Sequence, residues 1–202
     1  MKSSTHLSFI VYVVMETKGV EMMYGDMEEI RVMRFVRSYH ILGIFVIVMI
    51  AGPLHFAYEW SGENFIVSLV APVNESIWEH LKMVYWPTVL WWTAGYLVYK
   101  ERKKLSFRRW HQAMAISVIF GVFIIVVWYY VWAGAFEVEA SWVNFSSMVS
   151  IPVAQLLAIH VYRVSKPRWI YAATGIFIVI SLSLMMGYFT YYPPNLPIFI
   201  SP

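Results

Sequence analysis

Five apolar segments, each long enough to cross a bilayer, restrict the folds open to this chain. They fall at residues 39–58, 73–99, 110–132, 142–162 and 169–191. At about 1.5 Å of rise per helical residue, each can traverse a hydrocarbon core of roughly 30 Å. No water in that core can satisfy a free backbone amide or carbonyl, so a spanning segment of this length is a helix. Only 13% of the 202 residues are charged and 60% are hydrophobic, whereas a soluble domain is about a quarter charged. The expected fold is an all-α polytopic integral membrane protein, a bundle of five transmembrane helices. No separate soluble domain fits in the remaining length.

The connecting loops set an orientation. Arg31, Arg34 and Arg37 precede the first segment. Lys100, Arg102, Lys103, Lys104, Arg108 and Arg109 lie between the second and third, and Arg163, Lys166 and Arg168 between the fourth and fifth. The alternate loops carry Glu59 and Glu63, then Glu137 and Glu139, with no Lys or Arg. The positive-inside rule then predicts a multi-pass cell-membrane protein with a cytoplasmic amino terminus and an outer carboxyl terminus. The formal charge of +3 reflects those basic loops and is too small to suggest a nucleic-acid partner. The lack of cysteine excludes disulfides, thiolate catalysis and Cys-ligated metal sites.

Residues 1–38 read as a cytoplasmic or interfacial segment, 39–192 as the transmembrane domain and 193–202 as an outer tail. Residues 7–15 are apolar but too short to span, and Glu16-Thr17-Lys18-Gly19 offers no signal-peptide cleavage site. Residues 27–37 interleave three arginines with Ile30, Val32, Met33, Phe35 and Val36, which suits an amphipathic helix on the anionic inner leaflet. A translation start at Met27 or Met33 is an equal reading. The tail cannot be helical through Pro193-Pro194, and its apolar content predicts that it folds over the outer mouth.

The chemistry concentrates in NESIWEHLK, Asn74 to Lys82, at the head of the second segment. An ionisable group within a span costs roughly 2.5–3.5 kcal/mol on insertion scales, so such groups face the protein interior and mark function. On a continuous helix, Glu75, Glu79 and Lys82 would share one row and Ser76 and His80 a second. His55 and Glu59, one turn apart, lie at the outer end of the first segment after Gly52-Pro53. Because these two segments join on the outside, His55, Glu59 and His80 are candidate ligands for a divalent metal such as zinc, iron or manganese. Glu75 and Glu79 are the candidate general bases. Asn74, Ser76 and Lys82 complete the polar sector, and Asn144 and Gln155 on the fourth segment share a face with Ser147 that could line the same cavity. The competing reading makes Glu79 and Lys82 a structural ion pair and leaves Glu59 a solvated loop charge. His40 has no assigned role.

The block from Pro72 to Lys82, P-V-N-E-S-x-W-E-H-L-K, resembles one found in an uncharacterised family of small prokaryotic polytopic membrane proteins, where it follows a His-containing first span. That resemblance implies a polytopic fold and no activity. Asn74, Glu75, Trp78, His80 and Leu81 are also similar in order to residues of the progestin and adipoQ receptor and alkaline ceramidase group, with two residues fewer between Glu and Trp. That group implies seven-helix zinc amide hydrolases with three histidine ligands, two on the last helix. Here there are five segments and no histidine after His160, so that ligand set does not carry over.

The leading functional expectation is hydrolysis of a lipid or small amphiphile at a metal site between the first two spans, near the outer leaflet. The alternatives are a solute or ion transporter using Glu79 and Lys82, or an accessory membrane protein without catalysis.

Overall fold

The computed structural model describes residues 3–138 and 141–201, with side chains from residue 24 onward except those of 141 and 144. All regular structure among them is helical. Helix α1 is Ser3–Trp60, α2 a single turn at Phe65–Ser68, and α3 Ile77–Lys103. Helix α4, Phe107–Tyr129, continues as a π-helical turn over Tyr130–Ala135. Helix α5, Ser141–Ser146, passes through a 3-10 turn into α6, Ser150–Val164, and α7 is Trp169–Tyr191. The loops leaving α1 and α4 form an acidic end, and those leaving α3 and α6 a basic end.

Among the described residues, four stretches are long and apolar enough to cross a membrane: Tyr24–Trp60, Phe107–Ala135, Ser147–Val164 and Trp169–Tyr191. Five were expected, and α3 makes the difference. Its 27 residues are long enough, but it carries ionisable groups at both ends and Trp and Tyr between them. The expected interfacial helix over residues 27–37 is not a separate element either. Helix α1 runs without a break through residue 38 and through Pro53, and its stretch from Tyr24 to Trp60 is about 55 Å long at 1.5 Å per residue. No proline interrupts residues 24–52, and the helix continues through Pro53.

Helix α3 starts later than the apolar pattern indicated. Ser76 has extended backbone and its hydroxyl accepts from the Glu79 amide at 3.4 Å, which makes it the N-cap. Asn74 and Glu75 therefore lie in the preceding loop. At the other end, Lys104 adopts left-handed backbone (φ 49) and its amide donates to the Glu101 and Lys100 carbonyls. Lys100, Arg102 and Lys103 in the last turn complement the partial negative charge of that terminus.

Helices α1, α3, α4 and α6 form a closed ring of neighbours, and α7 packs on the outside of α4 with lighter contact to α3. Close approach of α1 and α3 rests on two glycines under aromatic rings. A Cβ at Gly43 would lie 2.3 Å from Trp91 Nε1, and one at Gly95 2.6 Å from the Tyr39 ring. The Tyr39 hydroxyl donates to the Trp91 carbonyl at 2.9 Å, and Trp110 Nε1 to the Trp92 carbonyl at 2.9 Å. The tail folds back as a 3-10 turn at Pro197–Phe199, with Phe199 against Trp78 of α3 and Phe189 of α7.

Candidate metal centre

The NESIWEHLK block works in two halves. Asn74 Oδ1 accepts from the Ser76 amide at 2.9 Å, turning the chain so that Ser76 can cap α3. Ser76-x-x-Glu79 has the spacing of a capping box, in which the glutamate reaches back to a free amide at the helix start. Here the Glu79 carboxylate bonds the Val73 amide at 3.1 Å. Helix geometry then sends Glu79 and His80 to different faces, and the polar cluster expected from sequence divides.

The first half is a buried ion pair. Lys82 and Glu79 have side chains 0% and 2% exposed, and Lys82 Nζ lies 2.6 Å from Glu79 Oε2. The ammonium also donates to the Ser68 carbonyl at 2.8 Å, the Ala71 carbonyl at 3.4 Å and Thr190 Oγ1 at 2.6 Å. Thr190 in turn lies 3.0 Å from Glu79 Oε1. Trp86 Nε1 donates to the Leu69 carbonyl, and Ser68 shares a hydrogen bond with Tyr191. The network ties α2, the following loop, α3 and α7 into one unit. Every donor of the ammonium has an acceptor, as a buried charge requires.

The second half faces α1. His55, Glu75 and His80 each offer a ligand atom, and the three atoms lie within 4.8 Å of one another. Glu75 Oε1 is 3.6 Å from His55 Nε2, and Glu75 Oε2 is 3.4 Å from His80 Nε2. The two imidazole centroids are 5.2 Å apart. His80 Nδ1 lies 2.9 Å from the Ser76 carbonyl. A carbonyl can only accept, so Nδ1 carries the proton, and Nε2 is the ring atom turned toward Glu75. This is the outer support that a metal-bound histidine usually has. The buried Nδ1 of His55 has no hydrogen-bond partner among the described residues.

A cavity of about 330 Å³ opens on the three residues, walled by Val48, Gly52, Phe56, Met83, Phe145 and Met148. Phe56 and Phe145 are also exposed on the outer surface of the bundle, so the cavity is bounded by side chains that face outward. A second space of about 50 Å³ on the far side of His80 is lined by Ile125, Tyr129, Val143 and Ser147. Neither cavity is lined by Glu79 or Lys82.

The other sequence candidates scatter. Glu59 is exposed and stands outside the three-residue group. The Asn144 side chain lies outside the described residues. Gln155 is buried and sits beside His40, with which its side chain interacts, rather than at either cavity. The tail lines neither cavity and covers Trp78 instead. Sequence reasoning missed Thr190, for which a position 108 residues from Lys82 gives no local signal. It also gave no role to His40, which is fully buried and stacked on Trp92 with ring centroids 3.7 Å apart.

A sequence profile described as Family of unknown function (DUF6512) matches residues 27–201. No curated protein and no solved structure matches the chain.

Proposed function

We propose a role for a chain that belongs to this family of unknown function: a membrane-embedded, metal-dependent hydrolase whose His55, Glu75 and His80 bind one divalent cation. The observation that carries the reading is the convergence of those three groups, from α1, α3 and the loop before α3, on a cavity with apolar walls. Helix α3 is the fifth span in this reading, with its least apolar turns shielded by the Lys82 network. The basic loops then face the cytoplasm, and the metal centre lies near the outer leaflet of the cell membrane.

Two imidazoles and one carboxylate are a donor set of catalytic zinc, which leaves a fourth position open for water. A metal there would lower the pKa of that water toward neutrality. One Glu75 oxygen would ligate and the other would take the proton as the water oxygen attacks a carbonyl carbon. The proton would then pass to the departing oxygen or nitrogen. Val48, Phe56, Met83, Phe145 and Met148 would hold the apolar part of a lipid or small amphiphile.

Transport through the Glu79–Lys82 pair has less support, because the pair is saturated with hydrogen bonds and lines neither cavity beside it. Elemental analysis of protein purified from membranes tests the proposal. Near-stoichiometric zinc, lost in His55→Ala and His80→Ala and kept in Glu59→Ala, is the expected result. Bound iron would redirect the same ligand set to oxygen chemistry. Metal-free protein would sink the reading.

A further inference from the structure

A further cavity lies at the opposite, basic end. It measures about 1020 Å³ and separates α1 from the end of α3. Arg31 and Arg34 line it from α1, and Arg102, Lys103 and Lys104 face them from the other wall. Glu28 is the one carboxylate in the lining, and it is committed to Lys104 at 2.6 Å. Neighbouring Glu29 is committed to Arg109 at 2.9 Å. Arg31, Arg34, Arg102 and Lys103 therefore have no carboxylate partner among the described residues.

Four like charges on facing walls repel one another, and the repulsion is relieved by an anion bearing more than one charge. The floor is apolar: Val32 and Phe35 line it, and Lys103 Nζ lies 5.3 Å over the Phe35 ring. Phe35 packs on Tyr99 at 4.9 Å, within the kind of aromatic belt that marks a membrane interface. Cations above an apolar floor at that level match a lipid, whose phosphates and glycerol occupy those two layers, better than a free anion. A basic pocket between helices on the cytoplasmic side has this preference generally.

We propose that the cleft between α1 and the end of α3 binds the headgroup of an anionic phospholipid carrying at least two phosphates. The site takes its membrane side from the orientation proposed above, and it does not depend on the metal centre.

The test titrates purified full-length protein in detergent with diphosphatidylglycerol, phosphatidylglycerol, phosphatidylcholine and pyrophosphate, reading bound lipid by native mass spectrometry. Diphosphatidylglycerol should bind about tenfold more tightly than phosphatidylglycerol, and phosphatidylcholine should not compete. Arg102→Gln with Lys103→Gln should weaken that binding roughly tenfold, leaving enough loop cations to hold the orientation. Arg31→Gln with Arg34→Gln, on the opposite wall, should do the same, so the proposal stays decidable if one variant fails to fold. His80→Ala should leave lipid binding unchanged, which separates this site from failure of the hydrolase reading. Equal affinity for the two anionic lipids, undiminished binding in a folded variant, or displacement by equimolar pyrophosphate would each overturn it.

Discussion

Lys82 and His80 stand two residues apart, and their neighbours give them different work. The Lys82 ammonium has four oxygen acceptors and no exposure, so removing its counter-charge is the damaging change. Glu79→Ala should destabilise the protein by about 3–5 kcal/mol in a detergent unfolding assay, whereas Glu79→Ala with Lys82→Met should lose much less. A double variant as unstable as the single would show that the pair contributes more than mutual neutralisation. His80 belongs to the pocket instead, and His80→Ala should lower metal content while the melting temperature changes little. Residue types at this scale were partly legible: His55, Glu75, Glu79, His80 and Lys82 stood out in the sequence, but Ser68, Trp86, Thr190, Tyr191 and the backbone carbonyls did not. Their partition was not legible, because Glu75 reaches His55 and His80 only from a loop, and a helical projection places Glu75 beside Glu79.

At the scale of elements, the first turn of α3 couples helix initiation to the proposed metal centre. Ser76 caps the helix with its hydroxyl and fixes the His80 tautomer with its carbonyl. Ser76→Ala should cost about 1 kcal/mol of stability and also weaken metal binding, while Ser76→Thr should retain most of both. Metal affinity unchanged in Ser76→Ala would mean that the carbonyl alone, without the cap, holds the ring. Gly95→Ala should destabilise by roughly 1–3 kcal/mol, since its Cβ would meet the Tyr39 ring and α1 would have to shift from α3. The apolar segments were readable because lipid and core both demand apolar side chains over a fixed length. The same fact hid the start of α3, where apolar Val73 precedes the cap, and the continuity of α1, where arginines suggested a separate surface helix. The S-x-x-E spacing was the available signal for that start.

For the whole molecule, reporter fusions after Lys104 and Lys166 should report cytoplasm, and a fusion at the carboxyl terminus should report the outside. A cytoplasmic carboxyl terminus would remove the five-span arrangement, leaving α3 as a helix that does not cross. Deleting residues 1–26 should leave the melting temperature and metal content intact, because the family match begins at residue 27 and the ion pairs of Glu28, Glu29 and His55 all lie beyond the deletion. The Lys82 network also has a consequence in time. A ribosome makes α3 long before α7, and Thr190, which closes the shell around the ammonium, emerges 108 residues later. In the proposed five-span arrangement, the least apolar helix of the bundle would leave the translocon holding a charge whose last acceptor does not yet exist. Its residence in the bilayer would then be provisional until the final helix arrives, and a chain truncated before α7 should be a substrate for membrane quality control.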